Sequence, residues 1–326
     1  MTLSVVIATY RRAESLRRTL RTICSQAVRP IEVIVVDQSP TDERAAVFKA
    51  TADAGQLGLN VRLITSEIPS STLSRNLGLA SATGDWVVFS DDDVDWPENV
   101  VADLMAKVSA SPDLAMIGAR DMRAPSGARP VWRRAFAALF LTNTFMPLKS
   151  GKVHACMQAR YPQPIIGDME TEWAMGYWFA VDRRFVQEHG LIFDEKMTRY
   201  AQAEDMLFSH QLFMAAQAAG RRCVVSEDIA VAHLVSQEWR EPTGFSDLCS
   251  VWNRVYIASV LRPGAGFWLS VAAMGWAMWH QVAVRILNGR GWMRYLWAHF
   301  VALANIRSIR AGDFADLYRR HETPSS

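Results

Sequence analysis

The stretch 86-WVVFSDDDVDW-96 joins an apolar, β-prone run to three consecutive aspartates, Asp91, Asp92 and Asp93, with Asp95 close behind. Carboxylates this close repel one another and raise one another's pKa, so the cluster costs stability unless a cation neutralises it. Charge runs are more often solvated turns. The position of this run in the fold decides between a cation site and such a turn.

Short β-branched runs alternate with helical patterns through the first hundred residues. The runs are too brief for helices and predict buried strands at 3–8, 31–37, 60–67 and 86–90. Apolar residues at helical spacing predict helices at 14–26, 42–54 and 71–82. This alternation predicts parallel βαβ units in an open, twisted sheet.

The ends of three predicted strands carry polar residues. Strand one ends at 8-ATYRR-12, strand two at Asp37, and the fourth strand at the aspartate run 91–93. Ligands of such sheets bind beyond the carboxyl ends of the strands. We therefore expect these residues to meet at one edge, where a functional site belongs.

The second half has a looser pattern. It predicts a helix at 98–110, a strand at 115–119, an irregular region at 120–170, a strand followed by a helix within 176–190, a helix at 204–220 and one or two strands within 221–234. An acidic first turn and a glycine stop support the helix at 204–220.

The C-terminal region, residues 236–326, differs in composition from the rest. It holds ten arginines, no lysine, six acids and seven of the twelve tryptophans. Residues 263–284 contain no acid or base except His280 and are long enough to span a bilayer. Polar residues dilute that run, so we favour helices lying at a membrane surface. The alternatives are ordinary packing helices, a contact between copies of the chain in a homo-oligomer, and a true membrane span.

Global composition bounds the compartment and the partners. The net charge is only +2, which gives no strong field for nucleic acid. Four scattered cysteines without a CxxC pair indicate a reducing compartment. The N-terminus lacks the pattern of a secretory signal. We expect a cytoplasmic protein, peripheral at the inner face of the cell membrane, with no nucleic-acid partner.

Four motifs in order, SVVIATYRR, VIVVDQSPTD, SRNLGLASATGDWVVFSDDDV and AEDMLF, make the chain resemble a family 2 glycosyltransferase over residues 3–234. The resemblance implies a GT-A fold, a mostly parallel α/β sheet flanked by helices. It implies a catalytic domain at 1–235, with a nucleotide-binding half at about 1–100 and an acceptor half at about 101–235. Residues 236–326 would form the helical C-terminal region.

The resemblance assigns a metal site to the aspartate run. Asp91 and Asp93 form a DxD pair that would hold Mn²⁺ or Mg²⁺, which would bridge the phosphates of the donor. His233 is a third candidate ligand, although a lone histidine on an apolar strand is more often structural. Asp91, together with Asp92, would also contact the ribose.

The same resemblance gives four further residues to the nucleotide-sugar. Asp37 would accept a hydrogen bond from N3–H of uracil or thymine, with a helix N-cap as the alternative. Thr9 and Arg11 would line the nucleotide, and Arg11 could equally be a surface charge. Arg75 matches an arginine that would reach the pyrimidine or the diphosphate, to whose oxygens a guanidinium is suited.

The pair Glu204–Asp205 begins the helix at 204–220. An inverting transfer needs one base that deprotonates the acceptor hydroxyl. The resemblance gives that role to Asp205, with Glu204 on the acceptor side. Trp178 would stack on an acceptor sugar, with core packing as the alternative.

These residues predict an inverting, metal-assisted glycosyltransferase that uses a UDP- or dTDP-sugar. Its acceptor would be a glycan or a lipid-linked saccharide. The alternatives are a non-catalytic nucleotide-sugar-binding partner in an assembly complex, a nucleotidyltransferase and a metal-dependent phosphohydrolase. A nucleotidyltransferase usually has a glycine-rich loop after the first strand, and a phosphohydrolase of this type has a DxD motif there. This chain has neither at that position.

Overall fold

The computed structural model describes residues 1–124, 130–142, 146, 148–198, 201–239 and 243–321. The first half follows the predicted order of strands and helices, with bounds that shift by at most three residues. Its elements are β1 (Leu3–Thr9), α1 (Ala13–Cys24), β2 (Glu32–Asp37), α2 (Arg44–Gln56), β3 (Val61–Thr65), α3 (Ser71–Ser81) and β4 (Trp86–Ser90).

The second half contains both predicted and unpredicted elements. They are β5 (Val94–Asp95), α4 (Val100–Ala110), β6 (Leu114–Asp121), α5 (Val131–Leu139), β7 (Lys152–Val153), β8 (Ala159–Arg160), β9 (Asp168–Glu170), β10 (Trp178–Asp182), α6 (Arg183–Glu188), α7 (Glu204–Ala218) and β11 (Arg222–His233).

The expectation of an irregular region at 120–170 was wrong for α5 and for three short strands. Pro130 directly precedes α5, and further prolines and glycines nearby masked the nine-residue helix in the sequence. Within the predicted irregular region, residues 125–129, 143–145 and 147 lie outside the described part of the chain.

The sheet has the order β3-β2-β1-β4-β10-β6-β11-β5, and β9 pairs with β11. β3, β2, β1 and β4 are parallel, as predicted. β10 lies antiparallel between β4 and β6, whereas β11 runs parallel to β6. The carboxyl ends of β1, β2 and β4 therefore open onto one edge of the sheet.

Apolar side chains cover both faces of this sheet. One core cluster includes Leu16 and Leu20 of α1, and another includes Leu79 of α3. Gly78 permits α3 to pack closely on β1, because a Cβ at this position would lie 2.2 Å from Val6 Cγ1. The two layers hold the strand ends in a fixed register.

The C-terminal region forms α8 (Thr243–Leu261), α9 (Ala265–Leu287), α10 (Trp292–Ala304), α11 (Ile306–Ala311) and α12 (Ala315–His321). A third core cluster joins Trp252 of α8 to Trp173 and Leu207 of the α/β part, so these helices pack directly against it. Across the described helices, none combines the length and the hydropathy that crossing a bilayer requires.

Candidate active site

The three strand ends meet, as the sequence predicted. Thr9 Oγ1, at the end of β1, donates to Asp92 Oδ2 beyond β4 at 2.8 Å. The Gln38 amide, just after β2, donates to the Thr9 carbonyl at 3.0 Å. The parallel register of the strands thus brings residues separated by more than eighty positions into hydrogen-bond contact.

Asp91, Asp93 and His233 form a group suited to a metal ion. One ligand atom from each lies within 4.8 Å of the others. Pairing of β11 with β5 places His233 opposite Val94, and the His233 ring stacks on Tyr177 with centroids 5.1 Å apart. Two carboxylates and one imidazole form a donor set that can hold Mn²⁺ or Mg²⁺.

Arg12 is the residue of this cluster that sequence reasoning missed. Its Nη1 lies 2.9 Å from Asp92 Oδ1, and its Nη2 lies 2.6 Å from Asp93 Oδ2. On the other side, Arg75 Nη2 donates to Asp91 Oδ1 at 3.1 Å. Two arginines of the chain itself therefore offset much of the negative charge of the aspartate run, for which the sequence had suggested a metal alone.

The three aspartates titrate differently because their surroundings differ. Burial raises the pKa of Asp92 to about 7, although Arg12 and Thr9 oppose that rise. Burial also raises the pKa of Asp91, against the opposing charge of Arg75. Burial alone would raise the pKa of Asp93 as well, but the hydrogen bond with His233 and the charge of Arg12 hold it well below its usual range.

Two predicted nucleotide contacts are already engaged within the protein. Asp92 is 2% exposed, and its carboxylate contacts Thr9 and Arg12. Thr9 is also 2% exposed. The placement therefore favours a structural role for both side chains over the predicted contacts with ribose and nucleotide.

Asp37 ends β2 and is fully buried. Its Oδ1 accepts the Ser39 amide at 2.8 Å, whereas its buried Oδ2 has no hydrogen-bond partner among the described residues. Glu43 precedes α2 as its N-cap residue, so Asp37 is not the cap of that helix. Arg11 lies at the surface and pairs with Glu43, which agrees with the alternative that Arg11 is a surface charge.

Glu204 and Asp205 lie at the start of α7, beside the cluster. Asp205 Oδ2 accepts the Gly176 amide at 2.6 Å, and Oδ1 accepts the Met206 amide at 2.8 Å. Arg75 Nη1 donates to Glu204 Oε1 at 2.7 Å while its Nη2 reaches Asp91. Arg75 thus links the candidate metal site to the acidic pair.

Burial raises the pKa of both Glu204 and Asp205, and Arg75 opposes the rise in each case. Gly176 leaves no space above Asp205, since a Cβ there would lie 3.0 Å from Asp205 Oδ2. A carboxylate with a raised pKa is a stronger base than an ordinary one, and a fixed orientation aims it at one proton.

The acceptor role predicted for Trp178 is not compatible with its position. Trp178 is fully buried on β10 and packs edge-to-face on Trp96, with centroids 5.5 Å apart. Because β10 lies inside the sheet, the core-packing alternative describes this residue. Asn76 has a structural role too, since its side chain exchanges hydrogen bonds with the Phe193 backbone.

Comparison with known proteins now identifies the class. The sequence model of Glycosyl transferase family 2 matches residues 4–189, more than half of the chain. The chain belongs to this family.

Among curated relatives, the amylovoran biosynthesis glycosyltransferase AmsB of Erwinia amylovora is 34% identical over 28% of this chain and 31% of its own length. The undecaprenyl-phosphate 4-deoxy-4-formamido-L-arabinose transferase of Sodalis glossinidius is 30% identical over 51% of this chain and 50% of its own. The chain thus spans between about a third and a half of the length of these two relatives.

One solved structure with the same fold is a mannosyltransferase of Pyrobaculum calidifontis in complex with GDP-Man and Mn²⁺. It has a TM-score of 0.54 at 20% identity and covers 97% of this chain and 84% of its own. A second is GalNAc-T7 with UDP, GalNAc and Mn²⁺, with a TM-score of 0.54 at 18% identity over 88% and 57% of the two chains. These likenesses confirm the GT-A fold.

Proposed function

We propose that the protein is an inverting, metal-assisted glycosyltransferase that moves a hexosyl or deoxyhexosyl group from a UDP- or dTDP-sugar to a glycan or a lipid-linked saccharide. One observation carries the proposal. The Asp91–Asp93–His233 group lies beside the acidic pair at the start of α7, and Arg75 contacts both. A donor site and a proton acceptor thus adjoin each other.

Asp91, Asp93 and His233 would hold the divalent cation, which supplies positive charge to the leaving diphosphate. Arg12 and Arg75 favour the ionised form of the carboxylates and orient them before any ligand binds, because each guanidinium contacts at least one of them. The chain's own residues therefore set the geometry of the donor site in advance.

Asp205 would take the proton from the acceptor hydroxyl. Two backbone amides fix its carboxylate, and its raised pKa makes it a stronger base than an ordinary aspartate. Glu204 is held by Arg75 and would orient the acceptor beside it. One acid in each role agrees with a single-displacement, inverting transfer.

The unpartnered Oδ2 of Asp37 supports a pyrimidine donor. A buried carboxylate oxygen without a donor is costly, and N3–H of uracil or thymine would satisfy it. Because Asp37 is fully buried, this contact requires the residues that cover it to move aside.

The acceptor side of the proposal rests on relatives and on surface chemistry. A transferase of Campylobacter jejuni, 27% identical over 33% of this chain, carries the name GalNAc(5)-diNAcBac-PP-undecaprenol beta-1,3-glucosyltransferase. In our protein, tryptophans of the C-terminal helices are exposed, including Trp268, Trp276, Trp279 and Trp297. Exposed aromatic side chains together with arginines suit the interface of a membrane. We therefore place the protein peripherally at the inner face of the cell membrane.

A thermal-shift series with UDP, dTDP, GDP and CDP, each with and without Mn²⁺, tests the donor part. A nucleotide that binds the folded state raises the melting temperature. We expect a metal-dependent shift with UDP or dTDP that is lost in Asp93→Ala and retained in Asp95→Ala, a matched aspartate outside the group. The absence of a shift with all four nucleotides would contradict the proposal.

The non-catalytic alternative is tested by Asp205→Asn. We expect this variant to bind the donor with Mn²⁺ as the wild type does, but neither to transfer the sugar nor to hydrolyse the donor. A wild type that binds donor and releases no nucleoside diphosphate with any acceptor or with water would favour the non-catalytic partner.

A further inference from the structure

A cavity in the C-terminal helices lies apart from the donor site. Its volume is about 600 Å³, and its charged lining consists of Arg254, Arg285, Arg290, Arg294 and Asp247. This volume is within the range of cavities that bind small molecules, roughly 300–1,000 Å³. The lining holds four positive charges and one negative charge.

Only one of these arginines is neutralised within the described part of the chain. Arg285 forms a two-point pair with Asp247, at 3.1 and 2.6 Å, and its guanidinium lies over the Tyr295 ring at 4.4 Å. For Arg254, Arg290 and Arg294, the described residues include no carboxylate at ion-pair distance. Three uncompensated guanidinium groups therefore face one cavity.

The three groups come from different elements. Arg254 is half-buried on α8, Arg290 lies in the turn before α10, and Arg294 lies on the first turn of α10. Gly291 allows Arg294 to fold back, since a Cβ on Gly291 would lie 3.1 Å from Arg294 Nε. Guanidinium groups that converge in this way suit the oxygens of a phosphate or diphosphate.

The cavity lies close to the proposed base. Gln202 lines it, and the Gln202 carbonyl accepts the Asn253 side-chain amide at 3.0 Å. Asp205 follows Gln202 by three positions in the chain, so their Cα atoms are at most about 11 Å apart. One wall of the cavity therefore lies near the start of α7, where Asp205 is.

An exposed apolar stripe on α10 adjoins Arg294 of the cavity lining. Met293, Trp297 and Phe300 are spaced as one helical face and are 67%, 59% and 57% exposed. Arg294 lies at the edge of this stripe. A positive cavity beside an exposed apolar face matches a ligand with a phosphorylated head and a hydrocarbon chain.

We propose that this cavity is a subsite for the diphosphate of a lipid-linked saccharide acceptor, with Arg254, Arg290 and Arg294 as its ligands and the α10 stripe against the lipid chain. The inference rests on the proposed function, because it takes Asp205 as the base. Phospholipid headgroups share the phosphate chemistry and form the competing source.

Calorimetric titration with farnesyl diphosphate and with inorganic pyrophosphate, in EDTA, tests the subsite without the donor metal. We expect both to bind the full chain, and the Arg290→Ala/Arg294→Ala double variant to bind at least about tenfold more weakly, because charge-assisted contacts are lost. The matched control is Arg307→Ala, an exposed arginine of α11 outside the cavity. It should leave both affinities unchanged.

Three outcomes would overturn the subsite. They are equal binding by the double variant and the wild type, equal weakening in Arg307→Ala, and no binding of either probe while vesicles containing phosphatidylglycerol bind through the same arginines. The last outcome assigns the arginines to lipid headgroups.

Donor binding is measured separately, by Mn²⁺-dependent UDP titration. The double variant should retain it, and Asp93→Asn should lose it while it still binds farnesyl diphosphate. A failure of the subsite is thereby distinguished from a failure of the proposed function.

Discussion

Replacing Arg12 with glutamine removes the guanidinium that contacts both Asp92 and Asp93. The two carboxylates are each 3% exposed, and Arg12 itself is 20% exposed. Loss of one partner from a buried pair costs about 3–5 kcal/mol, because the remaining charge stays buried and uncompensated. Since Arg12 is partly solvated, we expect the lower end, about 3 kcal/mol of unfolding free energy.

Urea denaturation at neutral pH in EDTA measures this loss. Arg11→Gln is the matched control, because Arg11 is the adjacent arginine and pairs with a single carboxylate, that of Glu43. Arg11 and Glu43 are 37% and 36% exposed. Exposed pairs contribute about 0–1 kcal/mol, so the control should change little. Comparable losses of unfolding free energy in Arg11→Gln and Arg12→Gln would show that burial of the Arg12 pairs does not account for the effect.

The double variant Arg12→Gln/Asp92→Asn tests whether Arg12 stabilises the fold through the Asp92 carboxylate. Asp92→Asn removes one of the two charges that Arg12→Gln would strand, and its amide oxygen can still accept the Thr9 hydroxyl. We expect the double variant to recover part of the stability lost in Arg12→Gln, with an interaction energy of roughly 1–2 kcal/mol. Strictly additive losses would show that Arg12 does not act through Asp92.

Three more predictions concern other parts of the molecule. Burial alone would raise the pKa of Glu32, but hydrogen bonds from two hydroxyls, a backbone amide and a guanidinium lower it to about 2. Glu32→Gln should therefore lower the free energy of unfolding by up to about 3 kcal/mol above pH 4.5, and this loss should disappear as the pH falls towards 2. A loss that urea denaturation finds to be independent of pH would contradict this. Gly176→Ala should lower the rate of nucleotide release from the donor about tenfold by displacing Asp205 and the Arg75 guanidinium, which would lie 3.0 and 3.2 Å from the added Cβ, and an unchanged rate would argue against a fixed base. Trp297→Ser/Phe300→Ser should weaken sedimentation with phosphatidylcholine–phosphatidylglycerol vesicles at constant melting temperature, whereas undiminished sedimentation would remove α10 from the membrane interface.

The sequence was sufficient for the fold of residues 3–90. Runs such as 31–37 and 86–90 are short, β-branched and bounded by helical patterns, so local periodicity identifies β2 and β4. Parallel pairing then places their ends together, which is why Asp37 and the aspartate run could be assigned to one edge in advance.

The features that were missed depend on contacts distant in sequence. No local pattern shows that β10 enters the sheet antiparallel between β4 and β6, and this placement is what buries Trp178. The pairing of Arg12 with Asp93, 81 residues away, depends on the reach of one side chain from a neighbouring strand end. Arg11 and Arg12 are alike in sequence, and only the fold distinguishes them.

We propose that Asp91, Asp93 and His233 form one metal centre at the donor site. Electron paramagnetic resonance of Mn²⁺ added with UDP tests this most directly, since it counts bound ions and detects a coordinating nitrogen. We expect one bound Mn²⁺ per chain with a nitrogen coupling that His233→Gln removes, and weak binding in Asp93→Asn. Mn²⁺ that remains free in the wild type, or binds equally well in Asp93→Asn, would contradict it.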